Sequence, residues 1–285
     1  DQTLHDNAGM ARCALNPETM QSKKYKIVPA KKQKKVAIVG GGIGGMETAR
    51  VLALRGHKPT IFEKSGALGG VFVAAAAPQF KSADKVLLRW YEKQMKDLSI
   101  DIRFNTEVKP SDTLTGFDEI VVATGATAKR VPVKGAEKCI EACDYLSGAP
   151  VGDKIVVIGG GLTGCEIALD AHLKGKTPVI VEMKNDLIAV KGVCLANSSY
   201  LREYFALHKV EVHLESTVKE VGDGYVVVRE KNGNEVKIPA DTVVTSVGYT
   251  PAPLELKGAK YVGDCKEVGN LRTVIWRAWD VAMKI

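Results

Sequence analysis

The sequence predicts an α/β chain assembled from two copies of one β-turn-α-β unit. Two observations carry this. A short apolar strand pattern, residues 35–39, runs straight into glycines and then a helix pattern, and the same succession returns at 154–182. Identical residues also recur at one offset of 119: Gly40/Gly159, Gly42/Gly161, Gly45/Gly164, Glu47/Glu166, Gly56/Gly175, Pro59/Pro178 and Glu63/Glu182. So many matches at one spacing mark a duplicated fold unit, too large and too few for a solenoid.

The elements follow in order. Residues 1–34 read as irregular and polar. The first unit predicts a strand over 35–39, a helix over 44–55 and a strand over 59–63. The second repeats this over 154–182. Each copy has a later echo, a strand ending in a glycine turn: Asp118 to Gly125 and Asp241 to Gly248, 123 residues apart. Between 209 and 239 the text alternates in period two around Asn232-Gly233, which predicts a small antiparallel meander packed on a parallel sheet. The last segment predicts a strand over 259–262, a turn at Gly263-Asp264 and a helix from about Asn270.

Composition bounds the function class. The chain has 285 residues, 45% apolar and 26% charged, as in ordinary globular domains. No apolar run reaches the roughly 20 residues of a membrane span; the longest, Val71 to Ala77, is mostly alanine. No secretory leader pattern opens the chain. The net charge is +7, but Lys23, Lys24, Lys26, Lys31, Lys32, Lys34 and Lys35 precede the first strand, and without them 33 basic residues face 33 acidic ones. The basic excess therefore belongs to a leader read as a solvated linker, which argues against a nucleic-acid partner. The six cysteines (13, 139, 143, 165, 194, 265) include no C-x-x-C pair, so neither a disulfide framework nor a zinc site is expected, and a reducing cytoplasm fits. A chain that begins at Asp1 reads as part of a longer protein.

Each glycine run follows a strand, opens a helix and is trailed by an acid 23 residues after its first glycine. That is the full context of a dinucleotide fingerprint. The first glycine permits the tight turn, the second lets backbone approach a pyrophosphate, and the third lets helix and strand pack closely. The anion then sits on unpaired amides at the helix N-terminus. Glu63 and Glu182 can accept hydrogen bonds from a ribose diol and would repel a 2′-phosphate, which favours FAD or NAD(H) over NADP(H). Lys64 and Lys184 stand close by and oppose that inference. Asp264 can hold a sugar-alcohol chain, and the helix after it can face a reduced flavin. Position in the chain does not say to which unit that last segment returns.

The order of Gly-rich unit, Ala123-Thr124-Gly125, second Gly-rich unit, Gly248-Tyr-Thr-Pro251 and Val262-Gly263-Asp264 resembles the two-dinucleotide-binding-domain flavoproteins of the glutathione-reductase-like class. The resemblance spans about residues 35–285. It implies two Rossmann-like dinucleotide-binding domains, the second inserted in the first: a junction and basic linker (1–34), an FAD-binding domain (35–150 and 253–285) and an NAD(H)-binding domain (151–252). The implied FAD contacts are Gly40, Gly42, Gly45, Glu63, Gly70, Val108, Thr124, Gly125 and Asp264. The implied NAD contacts are Gly159, Gly161, Gly164, Glu182 and Gly248. No side-chain acid or base is needed for hydride transfer between the cofactors, and no catalytic residue is assigned.

Cys13-Ala-Leu-Asn-Pro17, Leu68-Gly-Gly70, Trp90-Tyr91, Asn105-Thr-Glu-Val108 and the ending from Ile275 to Ile285 narrow the resemblance to the 2-enoate reductase, 2,4-dienoyl-CoA reductase and trimethylamine dehydrogenase family. That family implies an N-terminal barrel with FMN and a [4Fe–4S] cluster. Electrons would pass from NADH to FAD, cluster, FMN and an activated C=C bond. Here the barrel is missing, and Cys13 matches only the fourth cluster ligand. Two other readings stand beside this one: a stand-alone NADH:ferredoxin-type reductase, and a structural ADP-binding module without hydride transfer. Cys139, Cys143 and Cys165 read as small core residues. Cys265 reads as flavin-proximal but without a disulfide partner. Trp276 and Trp279 share a helix face, either in the core or toward the barrel, and the five histidines form no ligand or triad spacing.

Overall fold

A computed structural model describes residues 12–190 and 193–285; Asp1 and His5 lie outside the described residues. After a short helix α1 (Ser22–Tyr25) come β1 (Lys35–Val39), α2 (Ile43–Leu54), β2 (Lys58–Phe62), α3 (Val71–Ala75), α4 (Ser82–Asp97), β3 (Asp101–Arg103) and β4 (Glu119–Val122). The chain leaves this unit on β5 (Ala126–Ala128) and builds β6 (Ile140–Glu141), α5 (Ala142–Leu146), β7 (Lys154–Ile158), α6 (Leu162–Leu173) and β8 (Thr177–Val181). Then come α7 (Leu195–Leu207), β9 (Glu211–His213), β10 (Thr217–Gly222), β11 (Tyr225–Arg229), β12 (Glu235–Pro239) and β13 (Thr242–Thr245). It returns on β14 (Tyr249–Pro251) to β15 (Lys260–Tyr261) and α8 (Leu271–Ala282).

Two five-stranded parallel sheets result, in the orders β15-β4-β1-β2-β3 and β6-β13-β7-β8-β9. The last strand and helix thus rejoin the first unit, and the second unit is inserted in it. The two crossings pair with each other as an antiparallel ribbon, β5 with β14. Parallel strands covered on both faces read as unbroken apolar runs; in β1 and β7 all residues but the first lysine are buried. In the first unit α2, α4 and α8 share one core cluster with β1 and β2. In the second, α5, α6 and α7 cover one face, and β10–β12 cover the other through Val218, Val226, Val228 and Ile238.

Three expectations change. The second unit begins just after Ala128 rather than at 151, because β6 pairs with β13 and α5 packs in the second core. Residues 211–213 belong to the parallel sheet as its edge strand, so the meander begins only at Thr217. The basic leader is docked on the first unit. Tyr25 is buried edge-on against Trp276 at 5.3 Å, Ala30 N–H donates to Arg55 O at 2.9 Å, and Arg55 donates to both Val28 O and Ala282 O. Most of its lysines remain exposed; Lys34 pairs with Glu119 at 2.7 Å. Lys260, together with Lys34, holds the Glu119 carboxyl below its ordinary range.

The duplicated acids on the two glycine-loop helices diverge. Glu47 is fully buried on α2 and receives Arg50 Nε and Nη2 at 2.8 and 2.9 Å. The guanidinium lies 5.3 and 5.4 Å from the rings of Trp279 and Trp90. Burial pushes the Glu47 carboxyl up, and Arg50 opposes it. Removing one partner of such a pair strands a buried charge and costs about 3–5 kcal/mol. Arg50→Met should therefore lower the urea midpoint sharply, and Glu47→Gln/Arg50→Met should recover most of the loss. Glu166, its duplicate on α6, instead meets Lys81 Nζ of the first unit at 2.7 Å.

Candidate functional site

Both glycine turns have the same geometry. Gly40 and Gly159 sit at φ +107° and +108°, and a Cβ there would lie 2.5 and 2.3 Å from Ala123 O and Ser246 O. Side chains are thus excluded by both conformation and contact. At Gly45 and Gly164 a Cβ would lie 1.9 Å from the carbonyls of Gly40 and Gly159, so the third glycine seats the helix on its own turn. Gly42 and Gly161 differ. Both have extended backbone, a Cβ at Gly42 would reach only Gly69 O at 4.0 Å, and one at Gly161 would meet nothing. No protein contact requires glycine at these two positions. They open the N-termini of α2 and α6, which have no side-chain cap and no acid in the first turn. Open space beside uncapped amides fits a pyrophosphate.

Glu63 and Glu182 stand one residue beyond β2 and β8, both buried. Each binds its own turn: Gly41 N–H donates to Glu63 Oε2 at 2.7 Å, and Gly160 N–H to Glu182 Oε2 at 2.6 Å. The other oxygen accepts from Ser65 N–H and Oγ in the first unit and from Lys184 N–H in the second. A carboxylate has about four acceptor positions, so about two remain at Glu182 and about one at Glu63 for ribose hydroxyls. Lys184 directs its Nζ to Ala189 O at 3.0 Å.

The remaining expected residues are distributed around these turns. Gly70, at φ +53°, approaches so closely that its Cβ would be 3.4 Å from Gly42 Cα. The turn at Gly263 approaches the start of α2, 3.7 Å from the Cβ position of Gly44. It brings Asp264 there, whose Oδ1 accepts from Gly269 N–H at 3.0 Å; burial pushes its carboxyl up. Thr124 Oγ donates to Ala252 O at 2.6 Å, and Gly125 and Gly248 mark the start of the crossing ribbon's two strands. Val108 is buried in the core cluster behind β1, β2 and β4. The start of α8 is more self-contained than expected: Asn270 and Thr273 form a reciprocal capping box that occupies the Thr273 amide.

Cys13 does not join these turns. Its carbonyl accepts from Trp276 Nε1 at 3.1 Å on α8, and its thiol accepts from Leu15 N–H at 3.4 Å. Among the described residues no three His, Cys, Asp or Glu side chains are grouped to hold a metal. All six cysteines are free. Cys165 is buried and its thiol is pushed up to about 12 by burial. Cys265 is buried too, its thiol against Val122 O and Val262 O. Cys139 and Cys143 are only half-buried, and Cys143 Sγ lies 3.3 Å from Tyr249 Oη. Trp279 is core, whereas Trp276 is half-buried against the leader.

Several residues escaped sequence reasoning. Leu68 and Leu187, also 119 apart, lie over Gly41 and Gly160, where a Cβ would be 2.7 and 2.6 Å from their Cδ2 atoms. Gly69 N–H and Ile188 N–H then donate to Gly41 O and Gly160 O at 2.9 and 2.8 Å. Extending the offset five residues beyond Glu63 and Glu182 would have found them. Asn105 and Glu215, both at φ +50°, donate equivalently to Ser65 O and Lys184 O, which makes Val218 the counterpart of Val108. That match is shifted out of the 119 register, and so is invisible to it.

A family model described as pyridine nucleotide-disulphide oxidoreductase matches residues 12–116 and 109–268. Cinnamate reductase of Clostridium sporogenes is 39% identical over 98% of this chain and 43% of that protein. NADH oxidase of Thermoanaerobacter brockii is 31% identical over 96% and 44%. The solved structure of 2-naphthoyl-CoA reductase in complex with 2-naphthoyl-CoA superposes with a TM-score of 0.89, at 30% identity, over 96% of this chain and 43% of that one. The chain thus spans less than half the length of each of these three relatives. No described helix is long and apolar enough to cross a membrane. On the family match and the doubled glycine-turn geometry together, the chain belongs to the pyridine nucleotide-disulphide oxidoreductase family, as a flavin-dependent pyridine-nucleotide oxidoreductase module related to cinnamate reductase.

Proposed function

We propose that the first unit (35–125 with 252–285) binds FAD, that the second (129–248) binds NADH, and that the module passes a hydride from NADH to FAD. The observation that carries this reading is the doubled cradle: an uncapped helix start, a second glycine no protein contact requires, and a buried glutamate behind it. When bound, the flavin supplies the hydride-accepting chemistry. The protein binds and orients. Gly40, Gly42 and Gly45 present the α2 amides to one pyrophosphate, and Gly159, Gly161 and Gly164 present those of α6 to the other. Glu63 and Glu182 accept the ribose hydroxyls. Asp264, with Gly70, Val108, Thr124 and Gly125, lines the remaining length of the first nucleotide, and Gly248 lies beside the second.

Glu182 carries the preference for NADH, because a buried carboxylate opposes a 2′-phosphate. Lys184, two residues on in sequence, already donates to Ala189 O. The wider reading places Cys13 as the fourth cysteine of a [4Fe–4S] cluster in a longer protein, with an FMN barrel that reduces an activated C=C bond. It is supported by the relatives' additional length and by the substrate names that two of them carry. The 285 residues supply one such cysteine, so no step is derived through that cluster.

Equilibrium binding tests the core of the proposal. One FAD and one NAD⁺ should bind per chain at separate sites. Glu63→Gln should weaken only FAD, and Glu182→Gln only NAD⁺. Mutual competition, or an ADP-only first site, would contradict it.

A further inference from the structure

We infer that Arg202 is a positioning residue for the second unit's nucleotide cradle, holding a strained loop against the glycine turn through Asp186 and Leu187. The inference rests on the reading of that turn as the NADH site. Arg202, on α7, donates Nε to Asp186 Oδ1 at 3.0 Å and Nη2 to Leu187 O at 2.5 Å, with Nη2 also 2.9 Å from Asp186 Oδ2. A planar fork that meets a carboxylate through two nitrogens and a backbone carbonyl through one of them fixes both ends of a short segment.

What it fixes is unusual. Ile188 lies at φ +51°, a region that β-branched residues avoid, and it is the one β-branched residue so placed among those described. Its side chain is buried, its N–H donates to Gly160 O, and the preceding Leu187 covers Gly160. The first unit makes the same strap with Gly69, for which positive φ costs little. Ala67 stands there at the position of Asp186, and Glu92 at that of Arg202, because the C-terminal ends of α4 and α7 correspond at an offset of 110 (Leu98/His208, Ser99/Lys209), so the clamp occurs only where the strap is strained. Strained backbone persists only where its surroundings over-determine it, and it concentrates at ligand sites. Releasing the clamp would let residues 186–188 relax from the turn. Gly160 N–H, which donates to Glu182, would lose its fixed place, and the amides of α6 would be less well prepared for the pyrophosphate.

The test uses the FAD-reconstituted chain with Arg202→Ala, Arg202→Lys and Asp186→Ala. The Asp186 side chain is about half exposed, so that variant guards against simple misfolding. Loss of binding preparation without loss of chemistry should raise KM for NADH, and Kd for NAD⁺ by calorimetry, about tenfold in Arg202→Ala, while the saturated rate of flavin reduction falls less than about threefold. Lysine keeps the charge but loses the fork, so it should fall between alanine and the parent. FAD affinity should not change in any of the three. Unchanged KM and Kd in both alanine variants would overturn the inference, as would a fall in saturated rate without a rise in KM. A parent chain that binds FAD but neither binds NAD⁺ nor is reduced by NADH would remove the underlying site reading, an outcome read on the parent alone.

Discussion

Gly161→Ala should cut flavin reduction by NADH sharply and lower stability only slightly, by the small preference for glycine over alanine at an N-cap. The residue has extended backbone that alanine adopts freely, and the added methyl meets no protein atom within 4 Å. The only thing it can obstruct is a group brought against the α6 amides. Displacing a pyrophosphate there by a methyl's width should cost about 100-fold in kcat/KM, the scale that a misplacement near 1 Å can reach. Gly164→Ala, three residues on, should do the reverse. Its methyl would lie 1.9 Å from Gly159 O, so the helix must leave its turn and the melting temperature should fall. Calorimetric melting beside flavin bleaching separates the two. Equal melting losses in both variants would contradict the open-cradle account.

Glu182→Ala should weaken NADH and narrow its advantage over NADPH. A charged acceptor to a hydroxyl contributes about 1.5–3 kcal/mol, roughly ten- to hundredfold in KM. The same change removes the repulsion that a 2′-phosphate meets. The mutation also strips the Gly160 amide of its acceptor, so part of the NADH loss will be shared with NADPH. The ratio of kcat/KM for the two coenzymes is therefore the quantity to measure. A ratio unchanged from the parent would show that Glu182 does not set the preference.

The duplication was legible because its constraints are local. Strand, glycines and acid lie within the 29 residues from Lys35 to Glu63, and close backbone contacts fix the first and third glycines. Contacts made at long range were not legible. The leader read as a solvated linker because its lysines dominate its text, yet Tyr25 anchors it against Trp276, about 250 residues away. Residues 211–213 read as part of the meander because three alternating residues cannot reveal whether their neighbour runs parallel or antiparallel. Glu47 and Glu166 matched perfectly in sequence but found different cations, one from its own helix and one from the other unit. The strap over the glycine turn was hidden because its central residue changed from Gly69 to Ile188. The clamp that tolerates the change comes from a different helix.

The central claim is that this chain moves a hydride from NADH to a flavin held in its first unit. An anaerobic absorbance spectrum of the FAD-loaded chain, recorded before and after NADH and in parallel with NADPH, tests it most directly. Bleaching of the flavin band by NADH, and much less by NADPH at equal concentration, is expected. A bound flavin that neither coenzyme bleaches would contradict it.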